Sequence, residues 1–196
     1  MEPTVSTELP TMAARPAAVG HPHLALVGMM GSGKTTIGRI LAHHVGREVV
    51  DLDARLVTEQ ALSIADMFAL NGELWFRETE ADLLGRCLVE PMGAVVSVGG
   101  GAPLRAESRL VLRDRSVVVW LRATADTLVE RTGSGGGRPM LAGNPADRIR
   151  QLTIERASVY ADAAHAVVDV DDLTPGQAAE VVRAAVYSLD RGHWAG

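Results

Sequence analysis

Gly28-Met29-Met30-Gly31-Ser32-Gly33-Lys34-Thr35 fits the pattern G-x-x-x-x-G-K-[ST], and its reading decides the fold. His23-Leu24-Ala25-Leu26-Val27 just before it is an apolar run of strand length. Thr36 to Ala42 just after it has helical spacing, with Ile37, Ile40 and Leu41 on one face. Strand, glycine-rich loop and helix follow in the order a phosphate-binding loop requires. The glycines let the backbone turn its N–H groups inward as an anion nest. The helix aims its positive end at the same point. Lys34, the only lysine in the chain, adds a cation that can reach the β- and γ-phosphates of a nucleotide, and the Thr35 hydroxyl is placed to ligate Mg²⁺.

The rest of the chain alternates strand-like and helix-like stretches. Strands are expected at Glu48–Asp53, Ala94–Val98, Ser116–Leu121 and His165–Val170, four beyond the first. Helices are expected from Ser63 to a stop at Asn71-Gly72, from Glu73 to Glu90 with Leu74, Leu83, Leu84 and Leu88 inward, at Thr124–Arg131, Asp147–Tyr160 and Gln177–Leu189. This alternation implies an α/β fold with a parallel sheet covered on both faces.

In such a sheet ligands sit beyond the carboxyl ends of the strands. Asp51 and Asp53 end the second strand there, two residues apart and so on one side, with a helix cap at Asp53 as the alternative. Gly99-Gly100-Gly101 ends the third strand and permits close approach of a ligand to backbone N–H groups, unless it is a plain turn. Arg77 and Glu80 share a helix face; on local grounds alone they read as a solvated ion pair. Thr132 to Gly143 is glycine-rich, flanked by Arg131 and carrying Arg138. A glycine-hinged cover bearing arginine suits an enzyme that must keep water from a phosphoryl group; an ordinary loop is the alternative.

With 196 residues, the chain suggests one domain with a proper core. A formal charge of −5 gives no reason to expect a nucleic-acid partner. Cys87 is the only cysteine, which rules out an internal disulfide, suits a reducing compartment and reads as a packing residue. No apolar run reaches the length of a membrane span. Residues 1–20 read as a flexible tail without the marks of a signal peptide, which leads to the expectation of a cytoplasmic protein. Neither His43-His44 nor the other histidines show metal spacing.

Several pieces together resemble the shikimate kinases, members of the nucleoside-monophosphate-kinase-like group of P-loop enzymes. They are GMMGSGKTT (28–36), DLD (51–53), SIADMF (63–68), GELWFRETE (72–80), SVGGG (97–101), RTGSGGGRPML (131–141), Arg156 and Tyr160 in ERASVY, and VDVDDLTP (168–175). The resemblance implies a three-layer α/β/α domain over residues 21–190, with a five-stranded parallel sheet and a flexible lid at about 131–146. A short tail, 191–196, follows. It implies transfer of phosphate from ATP to the 3-hydroxyl of shikimate by a monomeric enzyme that uses Mg²⁺.

By resemblance, Gly31, Ser32, Gly33, Lys34, Thr35 and Thr36 cradle the phosphates. Thr35 ligates Mg²⁺ directly, with Asp51 and Ser97 acting through water. Arg131 stacks on the adenine and Pro175 lines its other side. Arg77 and Arg156 bind the shikimate carboxylate, Glu80 holds Arg77, and Gly99, Gly100 and Gly101 offer N–H groups to the ring. Phe68 and Phe76 form apolar walls. Asp53 orients or deprotonates the attacking hydroxyl, and Arg138 reaches the transferring group. Two rivals stay open: a same-fold kinase for another polyhydroxylated acid such as gluconate, and a nucleotide-binding protein without catalysis.

Overall fold

A computed structural model describes residues 5–6, 23–90, 92–132 and 144–189. Its strands are β1 (Val5–Ser6), β2 (His23–Val27), β3 (Val49–Asp51), β4 (Val95–Ser97), β5 (Ser116–Arg122) and β6 (Ala166–Asp169). They form one sheet in the order β1-β6-β5-β2-β4-β3. The five strands from β2 to β6 are parallel, as the alternation implied, and β1 adds an antiparallel edge through Val5–Val168 and Ser6–Val167. Nothing in the composition of the first twenty residues announced that edge, because a two-residue strand has no period to read.

At the centre, β2 pairs with β4 on one side and β5 on the other, Leu24 facing both Val95 and Val117. The central strands are buried on both faces, which is why they read as continuous apolar runs rather than alternations. The helices are α1 (Lys34–His44), α2 (Leu52–Gln60), α3 (Ile64–Cys87), α4 (Ala106–Arg115), α5 (Ala125–Thr132), α6 (Pro145–Ala163) and α7 (Pro175–Leu189). One face of the sheet carries α1 packed with α7, and the other carries α4 packed with α6.

Several local expectations change. The second strand stops at Asp51, and α2, which was not anticipated, starts at Leu52. Asp51 is the cap, accepting from the Ala54 N–H at 3.1 Å, so Asp53 lies inside the first helical turn rather than on a strand. The expected break at Gly72 is present: α3 is two helical stretches joined at a kink there, where φ of 79° and ψ of 171° leave the helical region. Leu74 is not a core residue: it is 71% exposed, whereas Leu83, Leu84 and Leu88 are buried. Nine residues separate Leu74 from Leu83, which at about 100° per residue puts it on the opposite face. Helix α4 also went unread, because Leu112 and Ser108 are its only fully buried residues and so narrow an inward stripe leaves no clear period.

Side-chain caps start two further helices. The Ser63 hydroxyl accepts from the Asp66 N–H at 3.1 Å. Thr174 and Gln177 cap α7 reciprocally, with N–H to side-chain distances of 3.0 and 3.3 Å, and Pro175 takes the first helical position. Cys87 is buried, and that burial raises its thiol pKa. No helix among the described residues is long and apolar enough to cross a membrane.

His23 begins the central strand in a buried position and ties down the approach to β4. Its Nδ1 accepts from the Ala94 N–H at 3.0 Å, and its Nε2 lies 3.2 Å from the Glu90 carbonyl, so the neutral tautomer with a proton on Nε2 satisfies both. Burial lowers its pKa, with the Glu90 carbonyl pulling the other way. The unfolded state therefore takes up a proton first as pH falls, and stability should decline below the ordinary histidine range of about 6.5. Urea unfolding at pH 5.5 and 7.5 should show this decline, and His23→Asn, which keeps an acceptor for Ala94, should lessen it. An undiminished pH dependence in that variant would remove His23 as the source.

Candidate active site

The carboxyl ends of β2, β3 and β4, with α3, α6 and α7, enclose a cleft of about 770 Å³. At the end of β2 the phosphate loop turns through Gly28, Gly31 and Gly33, at φ values of 142°, 81° and 92°, before α1 begins at Lys34. Lys34 Nζ donates to the carbonyls of Gly28 and Met29, both at 2.9 Å, so its cation is folded back over the loop. Gly31, Ser32, Gly33, Lys34, Thr35 and Thr36 all line the cleft. Ser32 is buried, and its hydroxyl has no protein partner among the described residues.

Three hydroxyl and carboxylate oxygens meet beside the loop. Thr35 Oγ1 donates to Asp51 Oδ2 at 2.5 Å and lies 3.2 Å from Ser97 Oγ. They come from the first turn of α1 and the ends of β3 and β4, where Asp51 and Ser97 are register partners. Such an all-oxygen set suits a hard cation that keeps most of its shell as water and phosphate. Among the described residues no group of three His, Cys, Asp or Glu side chains could hold a metal, and a cation shared with phosphates does not require one.

The other half of the cleft is built on α3 and the glycines. Arg77 and Glu80 are not the solvated pair that local spacing suggested. Glu80 is 2% exposed, and its Oε2 accepts from Arg77 Nη1 at 2.7 Å. Arg77 Nε lies 3.5 Å from Glu73, in ion-pair range, and makes no hydrogen bond of its own. The guanidinium carbon sits 5.1 Å from the Phe76 ring centre and 5.7 Å from that of Phe68, and the two rings pack 4.4 Å apart. Burial raises the pKa of Glu80 and Arg77 pulls it back down.

The glycines leave the room this pair occupies. A Cβ on Gly101 would coincide with the Arg77 guanidinium, and one on Gly99 would run into Glu80 and lie 2.8 Å from Asp53 Oδ1. Gly100 and Gly101 line the cleft with Asp53, while Gly99 is buried behind them. Across the cleft Arg156, 4% exposed, donates to the Gly100 carbonyl at 3.2 Å, and no carboxylate among the described residues pairs with it. Glu80 interacts with it electrostatically without a direct ion pair, and a buried guanidinium with donors uncommitted to a carboxylate is poised for an anion.

At the far end, Arg131 donates to the carbonyls of Val170 and Asp171 at 2.8 and 3.1 Å and lines the cleft with Pro175. Leu173 and Ala178 complete that wall, and Ile64 stands one helical turn before Phe68 on α3. None of these three was singled out from sequence, although Ile64 and Phe68 share a helix face. Arg138 lies outside the described residues.

The sequence profile described as Shikimate kinase matches residues 30–187. The chain belongs to the shikimate kinase family. Its similarity to individual shikimate kinases runs along most of the chain. The Symbiobacterium thermophilum shikimate kinase is 41% identical over 152 residues, 76% of this chain and 87% of that protein. The Streptomyces coelicolor shikimate kinase is 40% identical over 169 residues, 86% and 96% of the two chains. The shikimate kinase from Acinetobacter baumannii, solved in complex with shikimate, superposes with a TM-score of 0.82 at 32% identity, covering 86% of this chain and 94% of that one. The chain is accordingly an ATP-using kinase with the nucleoside-monophosphate-kinase-like fold.

Removing one member of the buried pair should be costly in a pH-dependent way. Glu80→Ala leaves Arg77 with the exposed Glu73 alone and should cost about 3 kcal/mol, the low end for a broken buried pair. In Arg77→Ala the buried Glu80 loses its counter-charge and its pKa rises further. The folded state then holds a proton that the unfolded state releases above the ordinary glutamate range, so this variant should lose stability as pH rises. Urea titrations at pH 5 and 8 should find Arg77→Ala less destabilised at pH 5. Equal destabilisation at both would place Glu80 in a more polar setting than its burial implies.

Proposed function

We propose that this kinase transfers the γ-phosphoryl group of ATP to the 3-hydroxyl of shikimate, giving shikimate 3-phosphate and ADP in the route to aromatic amino acids. The observation that carries the substrate is the buried Arg156, which makes no ion pair with a carboxylate among the described residues and faces the same cleft as Arg77. Two guanidinium groups suit the carboxylate of a small ring. Glu80 holds Arg77 in place, Phe68 and Phe76 wall the ring, and Gly100 and Gly101 let it approach the backbone, with Gly99 behind them.

On the nucleotide side, the loop from Gly31 to Thr36 cradles the phosphates and Lys34 swings from its two carbonyls onto them. Arg131 and Pro175 take the adenine. The Thr35, Asp51 and Ser97 oxygens fit Mg²⁺, Thr35 as the direct ligand and the other two through water. Bound there, Mg²⁺ would neutralise charge on the phosphate oxygens.

Asp53 accepts a hydrogen bond from the attacking hydroxyl and aims it at the phosphorus. The hydroxyl oxygen bonds to the γ-phosphorus, the bond to the β-phosphate oxygen breaks, ADP departs and the hydroxyl proton is released. The transition state is loose, so positioning outweighs base strength in this step. Arg138, carried over from the family pattern, is assigned to the transferring group. On the family resemblance, we read residues 21–190 as one kinase domain and the enzyme as a monomer. A single cysteine supports a reducing, cytoplasmic setting.

ADP release with Mg-ATP should be strong with shikimate and near background with quinate, gluconate and a nucleoside monophosphate. Turnover of another acid in place of shikimate would overturn the reading of the ring pocket. Silence on all four with ATP still bound would favour a non-catalytic protein. Asp53→Asn should lower kcat by about 10²–10⁴-fold with ATP affinity little changed; full turnover would remove Asp53 from the mechanism.

A further inference from the structure

Tyr160 is buried beside the cleft with its hydroxyl committed to the backbone. It lies one helical turn after Arg156 on α6, on the same face. The Tyr160 hydroxyl donates to the Gly100 carbonyl at 2.6 Å, the same oxygen that receives Arg156 Nη1 at 3.2 Å. It also lies 3.6 Å from Met29 Sδ, and Met29 belongs to the phosphate loop. Met29's own carbonyl is one of the two that hold Lys34. The Tyr160 ring packs against Trp120 with centres 5.7 Å apart, and Arg122 covers Trp120 while pairing with Asp169 through two hydrogen bonds. One phenol thus touches the loop that would hold ATP and the loop that would hold the acceptor, and β5 and β6 support it from behind.

We propose that Tyr160 is a positioning residue for phosphoryl transfer: its hydroxyl occupies the Gly100 carbonyl, so that Arg156 keeps donors for the acceptor's carboxylate and the glycine segment keeps its place against the phosphate loop. The proposal rests on the reading of Arg156 as a carboxylate anchor. A carbonyl oxygen has two lone pairs, and the shorter, stronger bond comes from the phenol. Without it, Arg156 would be the sole donor to a buried carbonyl, and drawing the guanidinium inward to satisfy that oxygen turns it away from the cleft. Burial raises the pKa of the phenol, against the pull of Arg156, so the hydroxyl remains a donor across the neutral range.

Tyr160→Phe keeps the ring against Trp120 and deletes only the hydroxyl. Steady-state kinetics should show KM for shikimate raised about five- to tenfold, the worth of one hydrogen bond, with KM for ATP unchanged within about twofold. Calorimetric titration with shikimate and with ATP should show the same split. A purely structural role would lower the melting temperature and move both ligands together, and that result would overturn the proposal, as would no change in either. Arg156→Lys, titrated with shikimate in parallel, separates the two readings. Loss of shikimate binding there with an unchanged Tyr160→Phe would overturn this inference and leave the anchor standing; unchanged binding in Arg156→Lys would overturn the anchor and this inference with it.

Discussion

A part-buried guanidinium locked to a buried carboxylate, Arg77 and Glu80, is the constraint around which this half of the cleft is assembled. A buried ion pair is seldom a source of stability, because desolvation consumes most of the attraction. What it provides is position. Phe68 and Phe76 press on the guanidinium, Glu80 fixes its edge, and Gly99 and Gly101 lack the side chains that would occupy the same space. Those requirements link α3 to the end of β4, and through Gly99 to Asp53 on α2. Asp53, proposed to aim the hydroxyl, and the ion pair proposed to read the substrate are thereby set by one packed contact.

The nucleotide half obeys a different constraint, the need to present donors to several negative charges at once. It is met by backbone more than by side chains: three glycines at positive φ, the start of α1, and one lysine parked on two carbonyls. The two halves meet where β2 and β4 lie side by side. There Thr35, Asp51 and Ser97 converge, and Gly100 packs close to the Gly28 carbonyl, at 3.4 Å from where its Cβ would be. Sheet register therefore controls the distance between donor and acceptor, and the phenol of Tyr160 spans the same seam.

The phosphate loop was legible because its chemistry is contained in eight successive residues with a strand before and a helix after. The five parallel strands were legible because double burial makes them uniformly apolar. Other features depend on contacts that no local pattern encodes. Arg77 and Glu80 look like any helix-surface pair until Phe68, Phe76 and the glycines close over them. Asp51 and Asp53 read as strand-end neighbours, whereas the chain turns helical at Leu52 and reaches the same cleft by another route. Leu74 was assigned inward because it is apolar, although the phase set by Leu83 and Leu84 turns it outward. Helix α4 carries too few buried residues to show a period, and the edge strand β1 is only two residues long. Ile64, Leu173 and Ala178 became visible as cleft residues only once α3 and α7 were placed against the sheet.

The most direct test of the central claim, that Arg77 and Arg156 select the acceptor by its carboxylate, compares shikimate with its methyl ester under saturating Mg-ATP. The ester keeps the ring and its hydroxyls and loses the charge. If Arg77 and Arg156 read that charge, kcat/KM should fall by at least about a hundredfold for the ester, as expected where buried donors are left without a partner. Equal turnover of acid and ester would contradict the assignment and leave the two arginines as scaffolding.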